Sequence, residues 1–307
     1  MEATAEDPTA TRQSLRCEGC GAALQLPAGL RASRCPYCAA PVVVERGSAV
    51  DRPNPTFVLG FVVTEAAARV AARKWIASTW LTPRAFRRAD VTDTRGVYVP
   101  AYLYSAEAHV EYRAEIGEHY TVVETYTDSK GKTRTRTRTK TEWRDLAGQW
   151  SAFVDDLVVT ASQGLKNDEL EAVEPFDLRA LRRHTPKVIS GWLAEDPSLS
   201  AAHCRALAHQ EAQASIGRRL HEHMPGDSHR GIEYETKLRH EDLELLLLPV
   251  WVLAVRYAPD RPPVRMVLNG QTGKLHGRPP RSWIMIVGLV LAAVAAIVVL
   301  VVLGGRR

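Results

Sequence analysis

The sequence predicts an α+β protein, in which a small cysteine-bearing module precedes a mixed helix and antiparallel-sheet body and an apolar segment follows it. Three observations support this prediction. Paired cysteine motifs occur near the N-terminus, strand-like and helix-like segments alternate over 56–280, and the run at 283–303 carries no charge. The chain has 307 residues, 45% of them hydrophobic and 24% charged, with a net charge of +5. That length fits one large domain or two ordinary ones, and so mild a charge permits contact with nucleic acid without demanding it.

Four of the five cysteines form a regular pattern behind a polar leader at 1–14, which is predicted to be disordered. They stand in two CxxC motifs with fourteen residues between them: Cys17, Cys20, Cys35 and Cys38. Two such knuckles supply four thiolates to a tetrahedral Zn²⁺ site, which predicts a zinc ribbon over 15–46. Two disulfides are the alternative, but a cytosolic body is in a reducing compartment. Because four protein ligands leave no open coordination position, the predicted zinc is structural and not catalytic.

A zinc ribbon by itself does not specify a function. Ribbons bind nucleic acid, bind other proteins, or only stabilise their own chain. The fifth cysteine, Cys204, lies alone in a helical stretch and is expected to be an ordinary buried thiol.

The body divides into two predicted halves, at 56–160 and 161–280. The first begins with a buried strand, then a helix capped by Thr64, and then β-rich segments on both sides of a glycine-containing turn. The second is rich in helix before it returns to strand. Proline-containing apolar strands at 98–114 and 247–259 resemble each other, which suggests that the two halves are related.

The stretch KGKTRTRTRTK at 130–140 has a basic residue at every even position. Successive side chains of a strand point to opposite faces, so a strand here would have a cationic face and a threonine face. The segment HYTVVETYT at 119–127 is its natural hairpin partner. The predicted surface for an anionic partner consists of Lys132, Arg134, Arg136, Arg138 and Lys140.

Two hairpin registers remain open for this stretch. One places Thr121, Val123 and Thr125 on the cationic face, and a shift of one residue places Tyr120, Glu124 and Tyr126 there instead. The second register would let Glu124 pair with an arginine and would weaken the attraction for anions. A charged strand edge also blocks edge-to-edge aggregation, so binding of anionic lipid, acidic protein or nucleic acid competes with that plain explanation.

No catalytic constellation is recognisable in the sequence, and we expect a protein that is not an enzyme. A phosphate-binding loop ending in Gly131–Thr133 would need a glycine where Tyr126 stands and a helix after it. The acidic pairs, such as Asp155 with Asp156, are adjacent in sequence, so their side chains point apart and cannot act as facing acid and base.

The apolar run at 283–303 predicts a single transmembrane helix, since it is long enough for the ~30 Å hydrocarbon core of a bilayer. Trp283 stands where an interfacial aromatic is expected, and basic residues precede the run. This predicts a tail-anchored protein of the bacterial inner (cytoplasmic) membrane, with its body in the cytoplasm. Gly288, Ala292 and Ala296 form a small-residue stripe that predicts membrane helix packing and a homo-oligomer.

The order of these motifs resembles a known family. The paired CxxC motifs, FVLGFVVTEAAARVAARKW, YVPAYLY, LLPVW and VLNGQTGKLHGRPP before the apolar run are similar to bacterial zinc-ribbon, tail-anchored membrane proteins associated with phage-shock and SPFH-type membrane-stress systems. Such proteins are often labelled TFIIB-type zinc-ribbon proteins. The resemblance implies an accessory or scaffold role without catalytic residues, and it carries over only the four cysteines as zinc ligands.

Two functions follow from these patterns. The first is a non-enzymatic, membrane-anchored zinc-ribbon adaptor or scaffold protein linked to bacterial membrane stress or membrane organisation, with protein partners. The alternative is a membrane-tethered nucleic-acid-binding protein that uses the zinc ribbon and the basic hairpin.

Overall fold

The structure is a computed structural model. It describes residues 12–16, 18, 23–27, 30–34, 41–43, 53–127 and 132–304, without the side chains of residues 12–16, 23–27, 41, 284, 292, 296 and 298–304. Contacts divide the chain into two compact units. Unit 1 contains residues 1–101, 160–200 and 245–307, and unit 2 contains residues 102–159 and 201–244. Each unit draws on separate stretches of the chain, whereas the sequence predicted consecutive halves.

The strands and helices of the described residues follow in chain order. The strands are β1 Arg12–Arg16, β2 Ala23–Pro27, β3 Leu30–Arg34, β4 Pro41–Val43, β5 Phe57–Val58, β6 Val91–Thr127, β7 Thr133–Thr160, β8 Arg182–Arg183, β9 Leu193–Glu195, β10 Ser228–Val255, β11 Val264–Asn269 and β12 Leu275–Gly277. The helices are α1 Glu65–Ser78, α2 Arg84–Arg88, α3 Asn167–Val173, α4 Pro186–Ile189, α5 Ala201–His223 and α6 Trp283–Gly304.

The strands of unit 1 form a mixed sheet. Its order is β12–β11–β10–β6–β9–β3–β4, with β5 beside β10 and β8 beside β5. The β5–β10 and β6–β9 pairs are parallel, and β10–β11, β11–β12, β3–β4 and β3–β9 are antiparallel. The predicted antiparallel sheet is therefore corrected to a mixed one. The parallel pairs join strands that are far apart in sequence, which the alternation of apolar residues does not reveal.

Helix α1 begins where the sequence predicts it. The Thr64 hydroxyl accepts a hydrogen bond from the Ala67 backbone N–H at 3.3 Å, which satisfies one of the donors left open at a helix start. The apolar face of α1, with Ala68 and Ile76 buried, packs on Trp251 and its neighbours in β10 and β11. Small alanines let the helix approach the sheet closely, which explains why an alanine-rich segment belongs to the core.

Unit 2 contains the long portions of β6, β7 and β10 together with α5. The face of α5 that is buried repeats every four residues: Cys204, Ala208, Ala212, Ile216 and Leu220. In β6, residues at alternate positions are buried as well, including Tyr104, Ala106, Ala108 and Val110. Strand β10 has two residues with positive φ, Gly231 at 61° and His240 at 51°, which interrupt its regular alternation.

The C-terminal helix requires a correction. Helix α6 forms over Trp283–Gly304. A membrane span needs ~20 consecutive apolar residues. Among the residues that the structure describes, no helix has the length and apolar character to cross a bilayer. The predictions of a single transmembrane helix and of a single-pass location in the bacterial inner membrane are corrected on this finding.

Candidate functional site

The strands of the zinc ribbon place both CxxC motifs at hairpin ends. In β1 and β2, which pair in antiparallel fashion, Arg16 faces Ala23, so the connection between them contains Cys17 and Cys20. The β3–β4 pair has Arg34 facing Pro41, and its connection contains Cys35 and Cys38.

All four cysteines lie outside the described residues, so their geometry stays a prediction. Four thiols carried by the ends of two hairpins nevertheless fit a tetrahedral zinc site. Within the described parts of the chain, no group of three metal-binding side chains occurs elsewhere.

The second ribbon hairpin is part of the body of unit 1. Strand β3 pairs with β9 as well as with β4, and Ala32 is fully buried in a core cluster with Tyr98 and Leu247. The side chain of Arg31, only 6% exposed, forms an ion pair with the buried carboxylate of Asp196. The ribbon is therefore joined to the body through a strand pair, a shared apolar core and a buried ion pair.

Two further hydrogen bonds fix the guanidinium of Arg31. Its Nη1 donates to Asn54 Oδ1 and its Nη2 donates to the Pro53 carbonyl, each at 2.9 Å. Asp196 also belongs to the segment that follows β9. Loss of one partner of such a buried ion pair is costly, because it leaves an uncompensated charge. Sequence reasoning missed this contact, since nothing local connects residues so far apart.

The long hairpin of β6 and β7 carries the predicted cationic surface. We call residues 118–127 of β6 and 132–142 of β7 the arm. His109 Nδ1 lies 3.1 Å from Ser151 Oγ, and a Cβ on Gly148 would come within 2.8 Å of the Tyr112 hydroxyl. Glu124 and Arg136 face each other in the same register as His109 with Ser151 and Tyr112 with Gly148. The hairpin therefore runs from its base into the arm in one antiparallel register.

Glu124 is the centre of the cationic face. Its Oε2 accepts hydrogen bonds from Arg136 Nε at 3.1 Å and Nη2 at 3.0 Å. Arg138 and Lys140 lie 3.6 and 3.7 Å from the same carboxylate. The hydrogen bonds from Arg136 hold the pKa of Glu124 below its ordinary value, and the charges of Arg138, Arg136 and Lys140 act in the same direction. The carboxylate is therefore ionised at neutral pH and binds three of the five predicted cations.

These contacts decide between the two registers. The arm adopts the one with Tyr120, Glu124 and Tyr126 on the cationic face, and Arg136 also lies over the Tyr126 ring at 5.4 Å. Even so, the described residues of this face between 120 and 140 comprise five cations and one carboxylate. The opposite face is lined by Val123 and by threonines: Thr121, Thr125, Thr127, Thr133, Thr135, Thr137 and Thr139.

The outer edge of β7 is the other notable feature of the arm. Among the described strands, β7 pairs only with β6. Further along β7, the Phe153 carbonyl accepts a hydrogen bond from Arg219 of α5 at 2.7 Å, which marks that carbonyl as directed away from β6. Backbone groups of alternate residues point to the same side of a strand. Because Phe153 is odd-numbered, the odd-numbered threonines of β7 also direct their backbone N–H and C=O groups away from β6.

A second polar network in unit 2 links α5 to the sheet. The buried Tyr104 hydroxyl donates to Glu241 Oε2 at 2.6 Å, and His209 Nδ1 lies 3.0 Å from the same oxygen. Burial alone would raise the pKa of Glu241, but hydrogen bonds from Tyr104 and His209 outweigh it, and the pKa lies below its ordinary value. Burial raises the pKa of Tyr104, so its hydroxyl stays protonated and donates.

The other predicted positions lie outside the polar networks of Glu124 and Glu241. Cys204 is fully buried, and burial raises the pKa of its thiol to about 11, as expected for an unreactive core residue. Gly288 has open space around it, while the side chains of Ala292 and Ala296 lie outside the described residues. The packing role of that stripe stays a prediction.

Comparisons with known proteins support the ribbon. Residues 13–47 match the family model described as the FORGETTER1 second zinc ribbon domain. This segment is a zinc-ribbon domain, which implies a structural zinc ion and agrees with the prediction from the cysteines.

A relative comes from Bacillus subtilis (strain 168) and is described as Uncharacterized protein YdjG. It is 26% identical over 231 residues, which is 74% of this chain and 64% of that protein. The chain thus matches less than two thirds of the length of this relative. No solved structure matches. Neither comparison shows an association with membrane-stress systems or a tail anchor.

Proposed function

We propose that this chain is a non-enzymatic zinc-ribbon adaptor that binds a protein partner through the arm of unit 2. The observation that carries the proposal is the exposure of the arm: Val123 is 64% exposed and the residues from Lys132 to Lys140 are all exposed. A two-stranded hairpin is only marginally stable alone, so one that extends this far is expected to be maintained for binding.

The zinc ribbon has a supporting role in this proposal. Four cysteine ligands close the metal site, so the zinc would hold the two hairpin ends and provide no open position for a substrate. Because β3 lies in the sheet of unit 1, the bound metal would stabilise that unit.

Affinity capture with a shortened arm tests the proposal. Residues 121–139 are replaced by Asn-Gly, which connects the facing residues Tyr120 and Lys140 by a two-residue hairpin turn. We expect full-length protein to retain specific partners that the shortened variant loses, while both proteins show the same zinc content. Identical sets of captured proteins would contradict the proposal.

A second candidate function is nucleic-acid binding. The observation in its favour is that a two-stranded β-ribbon fits the major groove of DNA, and here one face of the ribbon is cationic. Duplex binding through the arm should weaken steeply with salt, with a slope of about −0.9 per phosphate neutralised. Fluorescence anisotropy with a labelled duplex at two salt concentrations measures this, and absence of binding at low salt rejects it.

A further inference from the structure

We infer that the outer edge of β7 in the arm accepts an extended acidic segment of a partner protein as an additional β-strand. The inference rests on the proposed adaptor function and names the chemistry of its partner. The edge is long, and among the described strands β7 pairs on one side only, with β6. Strand addition to such an edge uses backbone hydrogen bonds for affinity and side-chain pairs for specificity.

The directions of the backbone groups and side chains of β7 are compatible with strand addition. Odd-numbered threonines direct their backbone N–H and C=O groups outward, while Arg136 lies opposite Glu124 of β6. An incoming strand would therefore form its ladder with Thr133, Thr135, Thr137 and Thr139. Its alternate side chains would then lie beside the cationic row.

The charge of the cationic face indicates which kind of strand would pair with β7. Opposite charges on neighbouring strands stabilise a sheet and like charges directly opposite destabilise it. Among its described residues the cationic face has five cations against one carboxylate, so carboxylates at every second position of the new strand complete a negative–positive–negative arrangement with Glu124 on the far side. β-Branched residues between them would lie on the threonine face.

A second copy of this chain is a poor occupant for the same reason. Pairing β7 with another β7 would bring arginine and lysine rows together on the same face. Nucleic acid would use the same cations but would not need the outward N–H groups of the threonines. This difference separates strand addition from attraction between charges alone.

The test uses the full chain and a labelled nine-residue peptide in which glutamates alternate with threonine and valine. A matched peptide has the same composition but its four glutamates in one block. We expect the alternating peptide to bind at least about tenfold more tightly, because only it can place every carboxylate on the cationic face while it forms the ladder. Equal affinities would overturn the inference, since they would show attraction without strand geometry.

Two substitutions at one position isolate the backbone contribution. Thr137→Pro removes an outward N–H, and proline is tolerated at a strand edge when that N–H faces solvent. Thr137→Ala keeps the N–H and removes the hydroxyl. We expect Thr137→Pro to weaken the alternating peptide at least about tenfold and Thr137→Ala to change its affinity less than about twofold. Equal behaviour of the two variants would contradict strand addition.

Charge variants complete the design. Arg136→Gln with Arg138→Gln should weaken the peptide, while Arg84→Gln with Arg88→Gln, on exposed arginines of unit 1, should not. Unchanged circular dichroism shows that the variants remain folded. Retained peptide binding by Thr137→Ala shows that a substitution at position 137 does not by itself disrupt the arm. If a DNA duplex displaces the peptide and binds Thr137→Pro normally, nucleic acid is the ligand and the inference fails. Arm-dependent capture of a partner that lacks an acidic strand would reject this inference and leave the adaptor proposal intact.

Discussion

Glu124 shows how one residue controls the charge of the arm. Its carboxylate contacts Arg136, Arg138 and Lys140, so it reduces the repulsion between cations that lie on the same face. The sequence allowed two registers, and this carboxylate favours the one that the structure shows. A single acidic residue in a basic stretch can therefore indicate the register of a hairpin.

Glu124→Gln should loosen the arm, because the cations would then repel one another without a counter-charge. We expect backbone amides at 133–140 to exchange with deuterium at least about fivefold faster, as the lost pairing lowers the cost of local opening. Glu235→Gln is the control, since Glu235 is exposed and, among the described ion pairs, contacts only Lys237 of its own strand, at 3.4 Å. Unchanged exchange in the arm would show that Glu124 does not stabilise it.

Tyr104 illustrates a buried polar group that depends on one partner. Tyr104→Phe removes the donor to Glu241, and a hydrogen bond to a charged group contributes about 1.5–3 kcal/mol. We expect the free energy of unfolding at pH 7 to fall by about 1–2 kcal/mol, within that range. Urea denaturation measures it, with Tyr120→Phe as the control because Tyr120 is 47% exposed.

The same network predicts a dependence on pH. The pKa of Glu241 in the folded protein lies below its ordinary value of 4.5, so its stabilisation is present above that pH and is lost as the pH falls through the lowered pKa. The stability difference between the wild type and Tyr104→Phe should therefore shrink below pH 4.5. A constant difference from pH 7 down to the acid transition would contradict the role of an ionised Glu241.

At the scale of elements, sequence patterns located helices better than strand partners. Helix α1 begins at Glu65, after the predicted cap Thr64. The second predicted half is rich in helix before it returns to strand, yet between α3 and α5 it contains β9, a strand of three residues. Strand β9 forms because β6 and β3 flank it, and such long-range pairing leaves no periodic signal in three residues.

The β3–β9 junction should be sensitive to its buried ion pair. Arg31→Ala would leave the buried carboxylate of Asp196 without its partner, which typically costs about 3–5 kcal/mol. Arg34→Ala on the same strand is the control, because Arg34 is exposed and donates only to the Gly191 carbonyl among the described contacts. Thermal unfolding of both variants measures the difference, and equal melting temperatures would show that the ion pair adds no stability.

On the scale of the whole molecule, the cysteines predicted the zinc ribbon correctly, while its relation to the body emerged only from the structure. The paired CxxC motifs are short sequence patterns, and the tetrahedral coordination of zinc by four thiolates explains them. The union of β3 with β9 depends on contacts such as Arg31 with Asp196, which are 165 residues apart. The predicted membrane span rested on the local hydropathy of 283–303 and on the residues that flank it, and it is corrected.

Removal of zinc should affect the two units differently. We expect a chelator to speed amide exchange in β9, Leu193–Glu195, at least about tenfold, because β3 loses the support of its metal-bound hairpin end. Exchange in α5 of unit 2 should not change. Restoration of β9 protection by added zinc is the control, and equal loss of protection in both elements would show that zinc supports the whole chain rather than unit 1.

The junction of β3 with β9 also constrains how the protein is made. A ribosome adds about 5–20 residues per second, so the 165 residues between Arg31 and Asp196 take about 8–33 s to synthesise. During that interval β3 can pair with β4, but its other partner, β9, does not yet exist. The nascent N-terminal segment would therefore bind zinc early. The edge of β3 that pairs with β9 would stay unpaired until the middle of the chain leaves the ribosome.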